Sequence, residues 1–246
     1  MKTMPNWQQT LTVEISDCDA TGRWKPSAML IRMQEAAECH AAELGFPRQR
    51  LLEAGMCWVI YRQRMTLRRV PEFGEALRLC TWPAPVEGVL FPRHYRFETP
   101  AGAPLAEATS SWVLIDIHTR RPLRPTALPG SIPTDPEAER PLPGMLRLPA
   151  DVQALETRRV RWSELDVNGH MNNARYADWL CDALDARRLR TRGLSAWQIN
   201  YVSEALPDEE IALTAADLGD RFLLGGARAQ DGRSVFQAEA VFGPAG

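Results

Sequence analysis

One pattern occurs twice along these 246 residues, on either side of a proline-rich stretch. Each half opens on a short alternating segment, Leu11–Ile15 and Thr157–Trp162, as a strand with one buried face requires. A polar turn containing Asp and Gly follows, Asp19-Ala-Thr-Gly22 in the first half and Asp166-Val-Asn-Gly169 in the second. Apolar residues then recur at three- and four-residue spacings: Met29, Leu30, Met33, Ala36, Ala37, Ala41 and Leu44, and later Tyr176, Leu180, Ala183 and Leu184. That spacing predicts a helix in each half. Afterwards the period falls towards two, over Trp58–Leu67, Ala76–Trp82, Phe91–Phe97 and Leu105–Ile117, and again over Trp197–Val202, Ile211–Ala215, Arg221–Gly226 and Val235–Phe242. One strand, a long helix and four antiparallel strands, repeated, is an α+β plan in which a curved sheet wraps the helix and buries its apolar stripe.

Eight of the 19 prolines lie between Pro122 and Pro149, where hydrophobic periodicity is weak. Proline removes backbone donors and disfavours helix before it, so residues 122–152 are expected to connect an N-terminal domain, 1–121, to a C-terminal domain, 153–246. A formal net charge of −2 argues against bulk nucleic-acid binding, which needs excess Lys and Arg. The five cysteines are odd in number and scattered without CxxC spacing, which says nothing of disulfides but makes a structural zinc site unexpected. No signal-peptide-like apolar run or membrane-spanning stretch is seen, and a reducing cytoplasm is the expected compartment.

The strongest local signal is Trp162-Ser-Glu-Leu-Asp-Val-Asn-Gly-His-Met-Asn-Asn-Ala-Arg-Tyr176. Asp166, Asn168 and His170 alternate just before the second helix. On an extended segment, alternate side chains point the same way, so a carboxylate, an amide and an imidazole are expected to face one cavity. The helix start beyond them is expected to offer backbone N–H groups to an oxyanion. Asp and Asn also favour turns and helix caps without any chemistry, but capping explains neither the histidine nor the second amide pair.

The Asp-x-Asn-x-His-Met-Asn-Asn-x-x-Tyr run resembles the signature of the acyl-acyl carrier protein (acyl-ACP) thioesterases, which are tandem hotdog proteins. The resemblance extends over nearly the whole chain, through Asp19-Ala-Thr-Gly22, Gln34-Glu-Ala-Ala-Glu-Cys-His40, Leu44-Gly45, Ser111-Trp-Val-Leu-Ile-Asp116 and Ile199-Asn-Tyr-Val-Ser-Glu204. It implies two tandem hotdog domains and hydrolysis of a fatty acyl-ACP to free fatty acid and ACP. It also implies a site of Asp166, Asn168, His170 and, on a later strand, Glu204. Many plant members carry a cysteine after that glutamate; here Ala205 stands there, so no thiol chemistry is available. Attack by water and attack by a carboxylate both stay open.

Placing Asp19 on Asp166 puts Thr21 on Asn168 and Arg23 on His170; matching Pro71 to Pro207 puts Arg68 opposite Glu204. The first half is therefore expected to be non-catalytic, with a second site at Asp19 as the lesser alternative, and the resemblance implies that it shapes the acyl tunnel. The expected partner is an acyl carrier protein, docked on arginines among Arg158, Arg159, Arg161, Arg187, Arg188, Arg190 and Arg192, with no nucleic acid, membrane, metal or cofactor. Monomer and homodimer are both compatible. The competing readings are an acyl-CoA thioesterase of the same fold and a non-catalytic acyl-binding protein.

Overall fold

The structure is a computed structural model and describes residues 6–134 and 140–244. Two compact units divide the chain between Pro143 and Gly144, with Lys25–Ala28 counted in the second. The first unit holds an antiparallel sheet in the order β1 (Trp7–Thr12), β3 (Ala76–Pro83), β4 (Leu90–Glu98), β5 (Pro104–Asp116), β2 (Met56–Leu67). The second repeats it strand for strand: β6 (Gln153–Arg159), β8 (Glu210–Asp217), β9 (Arg221–Arg228), β10 (Ser234–Phe242), β7 (Leu194–Tyr201). Helices α1 (Pro26–Glu43) and α2 (Arg48–Glu53) precede β2, and α3 (Arg175–Ala183) and α4 (Ala186–Arg192) precede β7. The α+β class and the later strands match the periodicity.

The opening strand of each half lies earlier than its alternation predicts. Ile15 and Trp162 are not strand residues; each opens a 3-10 turn, Ile15–Asp17 and Trp162–Glu164, and each is exposed. The alternation had picked up Val13 and Val160, each 1% exposed, which sit just past the strands. β1 and β6 each pair with one neighbour and expose most of their residues, so little hydrophobic pattern marks them.

The second half also lacks one long helix. Leu184 takes extended backbone at the end of α3, and the Asp185 side chain accepts the Arg188 N–H at 2.7 Å to start α4. A capping carboxylate just past the apolar run thus starts a second, separate helix.

The described residues of the proline-rich stretch have little regular structure, yet several of them are held in place; residues 135–139 lie outside the described residues. Leu128 joins a cluster with Phe46, Leu51, Met56, Phe91 and Leu114. Arg140 pairs with Glu107 at 2.9 Å, the Pro143 carbonyl accepts from Arg62, and the Gly144 carbonyl accepts from Gln198.

In the second unit, the Tyr176 ring of α3 packs on Phe236 of β10, centroids 4.9 Å apart. Phe236 lies across Gly226, where an added Cβ would come within 2.2 Å of the ring. Gly226 is therefore part of what seats α3, and with it the loop that precedes it. Burying each such large apolar side chain contributes about 1.5–3 kcal/mol.

Candidate active site

The loop between β6 and α3 carries Asp166, Asn168 and His170 as a tight turn rather than an extended segment. The Asp166 N–H donates to the His170 carbonyl and the Gly169 N–H to the Asp166 carbonyl, both at 3.0 Å. Gly169 sits at φ +78°, which a residue without a Cβ adopts readily. Leu165 and Met171 bridge the base of the turn. Asp166 and His170 meet because the chain reverses between them, and the alternation argument is corrected on that point. Asn168 occupies the exposed tip, its N–H donating to Asp166 Oδ1 at 2.8 Å.

Glu204 lies three residues past the end of β7, not on the strand. Val202 and Ser203 both donate to the Val235 carbonyl, at 2.9 and 3.1 Å, and this doubled contact turns the chain out of the sheet. The Met171 N–H then reaches the Ala205 carbonyl at 2.9 Å, tying Glu204 to the histidine loop. The imidazole ends up with a carboxylate at each nitrogen: Nδ1 is 3.9 Å from Asp166 Oδ1 and Nε2 is 3.7 Å from Glu204 Oε1. Both distances exceed a hydrogen bond, so these are charge contacts that a small side-chain movement would close. Nδ1 also lies 3.4 Å from the Met171 carbonyl; with its proton directed there, Nε2 is the basic nitrogen. Side-chain exposure rises from 10% at Asp166 through 20% at His170 to 35% at Glu204, which makes Glu204 the carboxylate most open to water.

The expected amide donors at the helix start are largely engaged. Asn172 donates to the Glu164 carbonyl, Ala174 to Asn172 Oδ1, Arg175 to the Asn172 carbonyl and Ala177 to the Ala174 carbonyl. Those four N–H groups hold the loop's shape and are not aimed at a substrate oxygen.

Several supporting residues escaped the sequence reading. The Tyr176 hydroxyl bonds the Ala205 backbone, and burial pushes its phenol well above the usual range. Arg228 donates to the Glu204 carbonyl at 2.6 Å and to Glu209 at 3.0 Å. Glu164 accepts from Trp179 Nε1 and from the Arg161 N–H, both at 2.7 Å. Tyr176 stands inside the motif and was findable there; nothing local marks Arg228, whose role depends on two strands meeting.

The first unit builds the same loop. The Asp19 N–H donates to the Arg23 carbonyl at 2.8 Å, Gly22 to Asp19 at 3.0 Å, and Thr21 to Asp19 Oδ1 at 2.7 Å, with Gly22 at φ +81°. Trp24 N–H reaches the Pro71 carbonyl as Met171 reaches Ala205, and Val13 and Val160 donate alike to Glu75 and Glu209. Pro71 therefore corresponds to Ala205, and Val70, not Arg68, stands where Glu204 stands. Asp19 Oδ1 also accepts from Thr21 Oγ1 and the Arg23 N–H, at 2.6 and 3.2 Å. Among the described residues, no group of three or more His, Cys, Asp and Glu is arranged to hold a metal ion.

Of the seven arginines expected to dock a partner, Arg158, Arg159, Arg188 and Arg192 are paired with Asp182, Asp208, Asp217 and Asp220. Arg161, Arg187 and Arg190 remain as exposed candidates.

An antiparallel sheet packed with helices in each unit, built twice, places the protein in the hotdog-like α+β class. Residues 5–127 match the acyl-ACP thioesterase N-terminal domain and residues 149–237 the C-terminal domain. The chain belongs to the acyl-ACP thioesterase family. A chloroplastic acyl-(acyl-carrier-protein) hydrolase of Cuphea viscosissima is 24% identical over 229 residues, 86% of this chain and 55% of the relative. The chain spans about half the length of the curated relatives it matches. An acyl-ACP thioesterase structure from Bacteroides thetaiotaomicron has the same fold, with a TM-score of 0.89 at 22% identity over 97% of this chain and 98% of that one. So does a 12:0-ACP thioesterase from Umbellularia californica, with a TM-score of 0.78 at 20% identity, covering 98% of each chain. No helix among the described residues is long and apolar enough to cross a membrane.

Proposed function

We propose that this protein hydrolyses the thioester of a fatty acyl-acyl carrier protein, releasing fatty acid and carrier, at a site of Asp166, Asn168, His170 and Glu204. The observation that carries this reading is an imidazole with one carboxylate at each nitrogen, in a family of acyl-ACP thioesterases. Glu204, the more open carboxylate, and His170 take the proton of a water whose oxygen bonds to the thioester carbon. As the C–S bond breaks, the proton passes to the departing thiolate. Asp166, the more buried carboxylate, holds the ring and stabilises its charged form, and Asn168 orients the thioester.

The same reading makes residues 1–121 and 153–246 two tandem hotdog domains, the first accommodating the acyl chain around its long helix. Residues 122–152 link them. The protein acts in the cytoplasm as a monomer or homodimer, with Arg161, Arg187 and Arg190 meeting the acidic carrier.

Thiol release from a panel of acyl-ACPs and matching acyl-CoAs tests this, with Asp166→Asn as the blank. Turnover of acyl-ACP that disappears in the blank supports the reaction and the site. Equal or faster turnover of acyl-CoA would replace the carrier, and no hydrolysis of any thioester would leave an acyl-binding protein.

A further inference from the structure

Arg93, in the middle of β4, is only 8% exposed, and among the described residues no carboxylate pairs with it. Neighbouring arginines of the first unit show what is missing: Arg78 on β3 and Arg96 on β4 both pair with Glu98, and Arg140 of the connecting stretch pairs with Glu107. Among the described residues, the acceptors of Arg93 are both neutral and both at one nitrogen. Its Nη1 lies 3.0 Å from His40 Nδ1 on α1 and 3.2 Å from Thr81 Oγ1 on β3. The first contact requires a lone pair on His40 Nδ1. In the second, Thr81 gives its own proton to the His94 carbonyl at 2.9 Å and so is an acceptor for Arg93.

A guanidinium has five N–H groups, and two are matched here. Burial pulls the group below its ordinary range, yet an arginine keeps its proton, so a full positive charge sits largely out of water. Buried charges in folded proteins are paired, because neutral acceptors do not offset the lost hydration. The surroundings say what kind of partner fits. Along β4, Phe91 and Phe97 share Arg93's face, and on α1 Met33, Ala36 and Ala37 lie on His40's side of the helix; all are buried. The requirement is an anionic oxygen on an otherwise apolar body.

We propose that Arg93, with His40 and Thr81, is the polar end of an internal site in the first unit that binds an aliphatic carboxylate. The unmatched guanidinium N–H groups donate to the carboxylate, and the hydrocarbon lies against the apolar face. The site does not depend on the thioesterase reading, since binding needs no turnover. The carboxylate has two sources, a free fatty acid or the far end of an acyl group that carries a second carboxylate.

Calorimetric titration of the full chain with octanoate and with octan-1-ol tests the site. Octanoate is expected to bind about tenfold or more tightly than the alcohol, the ordinary worth of a charge-assisted hydrogen bond. Arg93→Met should erase that preference while melting, without ligand, at or above the wild-type temperature, because a buried unpaired charge is gone. Equal binding of acid and alcohol by the wild-type chain overturns the proposal, as does a preference that survives Arg93→Met undiminished. The wild-type comparison needs no variant. Should the methionine variant not fold, Arg93→Lys is expected to keep a reduced preference, and an unchanged one overturns the site. Mono-methyl octanedioate separates the sources: tighter binding than octanoate indicates an acyl group with a distal carboxylate, and weaker binding indicates the free acid.

Discussion

The loops Asp19–Arg23 and Asp166–His170 share their hydrogen bonds, their positive-φ glycine and the amide that anchors each to a strand end, yet they carry different side chains. In the first, Asp19 Oδ1 is taken up by two backbone N–H groups and the Thr21 hydroxyl, and no imidazole is present. In the second, Asp166 Oδ1 takes the Asn168 N–H and faces a histidine ring with Glu204 at its far side. The aspartate is thus a requirement of the turn in both units. The proposed chemistry belongs to the loop whose fifth residue is His instead of Arg and whose strand end supplies Glu instead of Val. A shared backbone with one bare copy provides an internal control for each functional residue.

The sharpest break between the loops is expected at Asp166. Asp166→Asn keeps the turn, because an amide oxygen still accepts the Asn168 N–H, and should lower turnover by about a thousandfold or more. Thiol-release kinetics beside circular dichroism check both halves of that statement. Glu204→Val installs the residue that stands at position 70 and is expected to reduce kcat about a hundredfold with little change in acyl binding. A kcat within a few-fold of wild type would remove Glu204 from the reaction.

Acid should separate the units through a different histidine. Burial, with the nearby Arg140 cation, lowers His94 from 6.5 to about 4. Above 6.5 neither the folded nor the unfolded chain protonates this group, so it gives no pH dependence there. Between 6.5 and about 4 the unfolded chain takes the proton and the folded one refuses it, so stability falls on acidification, by on the order of 3 kcal/mol. Denaturant unfolding at about pH 7 and about pH 4.5 should show a smaller fall in His94→Asn than in wild type.

Gly22→Ala and Gly169→Ala make a matched pair. An added Cβ meets nothing within 4 Å at either position, so each change should cost only the backbone term, about 1 kcal/mol. Both should lower Tm, and only Gly169→Ala should lower turnover. The smallest effect is expected at Asp19. Asp19→Asn should leave turnover within about twofold and stability within about 1 kcal/mol; a large loss of activity there would mean the first loop also acts on substrate.

The motif Asp166–Tyr176 was legible because turn chemistry and the identity of a short polar run are local properties. The backbone that carries it was not read correctly. Alternation implies an extended segment, and the reversal that joins Asp166 to His170 needs Gly169 at positive φ and the bridge from Leu165 to Met171. Pairing the halves through their prolines set Arg68 opposite Glu204, whereas the hydrogen bonds of Val13, Trp24, Val160 and Met171 set Val70 there. Prolines mark where a strand ends only loosely; the backbone bond from the loop fixes the register.

What the sequence determined by itself is therefore what neighbours a few residues apart encode. It specified the doubled α+β order, most strand interiors, and the presence of an Asp, an Asn and a His in one turn. Tertiary structure decided which distant groups join them. Glu204 reaches His170 because two contacts to the Val235 carbonyl end β7 where the loop can anchor it. Among the described residues Arg93 is left without a carboxylate because β3 offers it a hydroxyl and α1 offers it a histidine. Both outcomes depend on which surfaces become buried against each other, and burial sets the value of a charge or a hydrogen bond without being written in any single segment.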